Sequence, residues 1–152
     1  MLYLSHYFRR HRQSYYEHLQ AIRDKGAFEE WLEFFLTGVL EVSLEASVTA
    51  RRILALREHH RDLIAARLGG AAGNGHRTLE HLFAHPIVSV NEIRELNGTT
   101  FPAANDLVGR MVNVGILKEV TGQSRNRRFR YDPYIRLFAD EIDENTIQEP
   151  NG

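Results

Sequence analysis

The stretch SVNEIRELNGTTFPAANDLVGRMVNVG, residues 89–115, decides the fold of the C-terminal half. Ser89 and Glu92 have the spacing of a capping box, in which side chains and backbone N–H groups satisfy one another at a helix start. Val90, Ile93 and Leu96 then face one way along that helix. Asn97 and Gly98 supply the turn after it. Thr99 or Thr100 caps the next helix, with Pro102 in its first turn and Leu107, Met111 and Val114 on its buried side. Gly115 ends it.

Working outward, residues 77–84 read as a short helix with Leu79, Leu82 and Phe83 inward. His85 and Pro86 stop it, because proline disfavours helix in the residue before it. Downstream, residues 116–120 and 127–131 suggest two strands joined by a polar tip, 121–126. Helix, helix, turn, helix, hairpin is the order of a winged helix-turn-helix with a two-stranded wing. That assigns 77–138 to this unit and 139–152 to an acidic tail.

The N-terminal half has a different pattern. No proline precedes Pro86, and residues 3–23 and 28–68 show apolar residues at helical spacing, such as Trp31, Phe35 and Val39, or Leu36, Leu40 and Leu44. Asp24, Lys25 and Gly26 break the run, so the two helices fold back antiparallel as a hairpin. The fold class is therefore mainly α, a helical hairpin over 1–68 followed by the winged helix. Gly38 lies inside the second helix, where it costs about 1 kcal/mol relative to alanine and marks close packing or a bend. The hairpin is rich in aromatic residues, among them Tyr7, Phe8, Tyr15, Tyr16, Trp31 and Phe34. Two helices cannot cover so wide an apolar face, so a second domain, a second copy or a missing part of a larger protein is needed to bury the rest.

Between the halves stands GGAAGNGHRT, residues 69–78, with four of the chain's 11 glycines. A phosphate-binding loop of the form G-x-x-x-x-G-K-[ST] lies between a strand and a helix. Here His76 and Arg77 replace the lysine and the hydroxyl residue, and a helix precedes. The stretch 69–76 is read as a flexible linker.

The net charge of -1 is unevenly spread, about +3 over residues 77–131 and -5 over 132–152. A modest basic patch beside an acidic tail points to nucleic acid with the tail as competitor, or to a solvated end. Cysteine is absent, which excludes disulfides and thiolate metal ligands. No run of 18 apolar residues spans a membrane and the first residues lack a signal-peptide pattern, so a cytoplasmic protein without membrane partners is expected.

The residues LYLSHYF, the pair Tyr15 and Tyr16 with Leu19, the break at Gly26, and Trp31, Leu32, Phe34, Phe35 and Val39 resemble the segment that follows the catalytic motif in Fic family proteins. GILKEVTGQSRNRRFRYDPYIRLF is similar to the winged helix at the C-terminus of many bacterial Fic proteins. The resemblance covers roughly residues 2–138. Family enzymes transfer AMP from ATP to a protein hydroxyl, using H-x-F-x-[DE]-G-N-G-[KR] to supply a base, a magnesium ligand and a phosphate cradle. This chain has no such motif: His85-Pro86-Ile87 is not followed by the acid and glycines, and Gly73-Asn74-Gly75 is followed by His76. The resemblance implies a C-terminal part of a Fic-type enzyme whose motif lies upstream of Met1. ATP and Mg²⁺ are then cofactors of the intact protein and not of this chain alone, which is expected to catalyse nothing. Two residues carry over as a nucleotide-binding remnant: Tyr16, near the adenine, and Arg23, at the rim.

Other chemistry finds little support. His81 and His85 stand four apart, as zinc ligands on a helix do, but a third ligand is missing and His85 falls at the helix end. A serine nucleophile elbow is absent. For DNA, the third helix of the winged unit presents Thr100, Asn105, Arg110 and Asn113, with Asp106 among them. Asparagine suits adenine, but no arginine is central for reading guanine, so base-specific recognition is weak. The wing concentrates Arg125, Arg127, Arg128 and Arg130, and strand alternation puts Arg128 and Arg130 on the face opposite Phe129 and Tyr131. Such a cluster suits phosphates without sequence preference, or pairs with Asp140, Glu141, Asp143 and Glu144 of the tail. Three readings stay open: part of a Fic-type AMP-transferase, a dimeric winged-helix regulator, and a winged helix used for protein docking.

Overall fold

The computed structural model describes residues 4–122 and 126–143 and is mainly helical with one small antiparallel sheet. The chain divides into two compact units, 1–51 and 52–152.

In the first unit, α1 (Leu4–Arg10) and α2 (Arg12–Lys25) replace the single helix expected over 3–23. The interruption at His11 is slight, since His11 N–H still bonds Tyr7 C=O at 3.0 Å and Tyr15 N–H bonds His11 C=O at 2.9 Å. Gly26 ends α2 in the left-handed conformation (φ 68°), its N–H reaching the carbonyls of Ala21 and Ile22. The chain then reverses into α3 (Phe28–Arg67), a helix of 40 residues. The reversal shows in the packing: Tyr15 meets Trp31 at a ring separation of 5.6 Å, while Tyr7 lies against Gly38. Phe8 completes the aromatic cluster against Trp31, Phe34 and Phe35.

Gly38 is required by that packing. A Cβ there would stand 2.5 Å from the Cδ1 and Cε1 atoms of the buried Tyr7. α3 runs through this position as helix.

In the second unit, the end of α3 and the residue after it join the core: Ile64 and Leu68, both 0% exposed, pack with Leu79 and Leu82. The compact units part at 51/52, inside α3. The stretch expected as a flexible linker, 69–76, is helical: a 3₁₀ turn (Gly69–Ala71) leads into α4 (Ala72–Ala84). Tertiary packing overrides the poor helix propensity of its glycines. Gly75 is buried where a Cβ would approach Leu68 Cδ2 to 2.8 Å and Ile64 Cγ2 to 2.9 Å, so only glycine lets α4 lie this close to α3.

After α4, His85 is extended before Pro86 and leads into a strand that periodicity did not reveal, β1 (Ile87–Ser89). Then come α5 (Val90–Asn97) and α6 (Phe101–Asn113). The Ser89–Glu92 capping box is formed in both directions, and Gly98 closes α5 in the left-handed conformation. Of the two threonines before α6, Thr100 is the cap. The expected two strands appear as β2 (Lys118–Glu119) and β3 (Arg128–Arg130), shorter than the sequence suggested. The sheet has three strands, not two, in the order β1-β3-β2. A helix the sequence reading lacked, α7 (Asp132–Asp143), begins at the Asp132-Pro133 pair. Val88, Phe129 and Tyr131 turn into the core with Ile93, Leu107, Val108 and Met111. No helix among the described residues is long and apolar enough to cross a membrane.

Candidate functional sites

In the first unit, the residues assigned to a nucleotide remnant do share a surface. Tyr16 and Arg23, seven residues apart on α2, line one open groove with Glu17, Leu19, Gln20 and Ile22. Tyr16 is 56% exposed. Its ring is covered on one side by the Arg12 guanidinium, 5.7 Å from the ring centre, a cation–π distance that orients the aromatic face. A second shallow groove runs along α3, lined by Leu32, Leu36 and Leu40 with Glu29, Glu33 and Thr37.

In the second unit, the sheet sets out the arginine cluster by register. Arg130 lies between Ile87 and Lys118, and Arg128 lies opposite Ser89. Val120 N–H donates to Arg128 C=O at 3.0 Å, which extends the β2–β3 pairing by one position. Since directly opposed residues share a face, the outward side carries Ile87, Lys118, Val120, Arg128 and Arg130. Phe129 is buried beneath, with Arg127 stacked 4.9 Å over its ring.

Each described arginine of the cluster already has a carboxylate. Arg127 donates to Glu119 at 2.6 Å, Arg128 to Glu92 at 3.1 Å, and Arg130 to Asp132, which also accepts from Arg136 at 2.8 Å. The acids register these partners. The Arg127 hydrogen bond holds Glu119 below the usual carboxylate range. Burial pushes Glu92 up, but the Ser89 backbone and hydroxyl and then Arg128 outweigh it and hold the carboxyl low. Asp132 is lowered by the Arg130 hydrogen bond first, against its burial, with Arg136 adding to the effect. The partners described come from α5, β2 and the start of α7. Arg125, the side chains of 139–143 and residues 144–152 lie outside what is described, and with them the expected pairing to Asp140, Glu141, Asp143 and Glu144.

On α6, Thr100 hydroxyl accepts from Ala103 N–H at 3.4 Å and so serves the helix start. Asn105 and Asn113 are exposed, and Arg110 turns back to Asp106 at 2.8 Å. Thr100, Asn105, Arg110 and Asn113 are therefore on the surface and Arg127, Arg128 and Arg130 are at least partly exposed, but each of these four arginines is paired with a carboxylate. The second unit as a whole carries 13 arginines and lysines against 13 aspartates and glutamates.

No family model matches the chain. Among the described residues no group of three or more His, Cys, Asp or Glu side chains is arranged for a metal. His81 and His85 stack with ring centres 4.6 Å apart.

Sequence reasoning missed two features here. The partners Glu92 and Glu119 depend on pairing across the sheet, which no spacing along the chain reports. The buried pair His60 and Tyr131, joined by a 2.7 Å hydrogen bond, links residues 71 apart. Its only local signal was a histidine on the side of α3 shared by Ile64, four residues on.

Proposed function

We propose that the chain is the non-catalytic, C-terminal part of a Fic-type AMP-transferase. The observation that carries this reading is the common groove of Tyr16 and Arg23 on α2, an exposed aromatic face and a cation on one wall, open to a partner surface. Such a wall suits the base of a nucleotide whose phosphates are held elsewhere, since an exposed aromatic ring stacks on a base and Arg23 stands at the rim. Leu19 and Ile22 give the same wall an apolar margin on which a catalytic core could rest. In this reading ATP and Mg²⁺ belong to the assembled enzyme.

The test is the reading frame upstream of Met1. An in-frame H-x-F-x-[DE]-G-N-G-[KR] supports the reading, and the protein extended to include it is expected to transfer AMP, with Tyr16→Ala raising the KM for ATP about tenfold through lost stacking. An upstream frame without the motif contradicts it.

For the second unit we infer a winged helix-turn-helix, with α5 and α6 as the helix pair and β2–β3 as the wing. The three carboxylates that hold Arg127, Arg128 and Arg130 favour a regulatory, protein-facing use over DNA reading. Salt-sensitive contacts to phosphate require cations free to release counterions, and each of these three has a carboxylate to compete with. A gel-shift titration separates the two: retardation of duplex DNA at low salt favours the nucleic-acid role, and none at any salt favours docking.

A further inference from the structure

Asp132 stands between two guanidiniums. Arg130 donates to its Oδ1 through Nε at 2.8 Å and through Nη2, and Arg136 donates to its Oδ2 through Nε at 2.8 Å, with Nη2 at 2.7 Å. The Asp132 side chain is 9% exposed, whereas those of Arg130 and Arg136 are 37% and 72% exposed. The acid is withdrawn from the surface and the cations are not.

A third cation joins them through the sheet. Lys118 is the register partner of Arg130 on the outward face, and it is exposed. Among the described residues Lys118 has no carboxylate partner. Three cations against one carboxylate leave an excess of two positive charges at this spot. By contrast, Arg127 and Arg128 each have an acid of their own, Glu119 and Glu92.

We propose that Lys118, Arg130 and Arg136 form a binding site for a phosphate monoester. Three observations select this chemistry. First, a monoester carries close to two negative charges near neutral pH, which matches the excess, whereas each phosphodiester of a nucleic-acid backbone carries one.

Second, donors remain. Each guanidinium turns one edge to Asp132 and keeps its other N–H groups for a further oxyanion, and the Lys118 ammonium adds its own. Third, like charges directly opposed on neighbouring strands destabilise a sheet, and Lys118 opposite Arg130 is such a pair. An anion between them turns that repulsion into two attractions. Ile87, opposite Arg130 on its other side and 49% exposed, supplies an apolar margin for the carbon side of the ester. The site goes beyond the Fic-type reading and is independent of it, since the Tyr16 groove lies on α2 in the other unit.

The test is a titration of the chain with methyl phosphate, followed by NMR at constant ionic strength. Saturable shifts at Lys118, Arg130 and Arg136 are expected, with dimethyl phosphate binding at least about tenfold more weakly. Lys118→Gln is expected to weaken methyl phosphate about tenfold without lowering the melting temperature, because it also removes the repulsion with Arg130. Arg128→Gln, which removes a cation already held by Glu92, is expected to leave binding within about twofold. A phosphoserine peptide that binds more tightly than methyl phosphate assigns the ester to a protein side chain, and equal affinity assigns it to a free small molecule.

The same titration in Asp140→Asn, which lacks the acid four residues beyond Arg136, makes a silent result decisive: no saturable binding in either protein overturns the proposal. So does dimethyl phosphate binding as tightly as methyl phosphate, or a Lys118→Gln variant that binds unchanged. Duplex DNA that shifts these three residues more strongly than methyl phosphate at equal phosphate concentration overturns the monoester assignment in favour of nucleic acid.

Discussion

His60 Nδ1 and the Tyr131 hydroxyl share a buried hydrogen bond of 2.7 Å that ties α3 to the residue between β3 and α7. Burial, with His59 adding to it, lowers the His60 pKa to about 4, so the ring is neutral in the folded protein at neutral pH. The unfolded ring binds its proton near pH 6.5. Stability from this group is therefore complete above about pH 6.5 and is lost as pH falls toward 4, by at most roughly 3 kcal/mol. Thermal melts between pH 7.5 and 4 check this, as the steep loss should be absent in His60→Gln. Tyr131→Phe is expected to cost about 1–3 kcal/mol at neutral pH by leaving the imidazole nitrogen unpaired.

Gly38→Ala pits helix propensity against packing. Alanine gains about 1 kcal/mol in an open helix. Here its methyl would meet the Tyr7 ring at 2.5 Å, and overpacking of this kind costs about 1–3 kcal/mol. Net destabilisation of the hairpin is expected. The double variant Gly38→Ala, Tyr7→Ala should lose the clash, so a denaturation cycle with coupling near zero would show that the two residues do not oppose each other.

Two glycines of α4 should answer alanine with opposite signs. Gly73 faces open space, and Gly73→Ala is expected to stabilise by about 1 kcal/mol. Gly75 is wedged against Ile64 and Leu68, and Gly75→Ala is expected to destabilise by about 1–3 kcal/mol. Equal effects in a denaturant titration would remove the packing role assigned to Gly75.

Charge release on the sheet tests the pairing scheme. Glu92→Gln and Glu119→Gln together free Arg128 and Arg127 at little cost in stability, since exposed pairs contribute about 0–1 kcal/mol. If phosphates compete with these acids, the variant gains affinity for duplex DNA at low salt, and the gain disappears as salt rises. Unchanged gel shifts would mean that Arg127 and Arg128 do not engage phosphate.

The parts of the fold legible in the sequence are those set by neighbours along the chain. The Ser89–Glu92 box, the Thr100 cap with Pro102, and the reversals at Gly26 and Gly98 each need only a few consecutive residues, and each is present. What escaped depends on distant partners. Gly75 looks like a linker residue until Ile64 and Leu68 are placed against it. β1 has three residues, too few to show alternation, and is a strand because β3 lies beside it. The arginine cluster was visible as a run, but Glu92 and Glu119, which neutralise part of it, come to it through pairing across the sheet.

The central claim, that this chain supplies one wall of a nucleotide site and none of its chemistry, is tested most directly by AMP transfer from radiolabelled ATP with Mg²⁺. The chain alone is expected to label no protein, itself included. Joined to an upstream segment bearing the H-x-F-x-[DE]-G-N-G-[KR] motif, it is expected to label, with Tyr16→Ala reducing the rate at limiting ATP. Robust labelling by the chain alone, or labelling by the joined protein that is indifferent to Tyr16, would contradict the account.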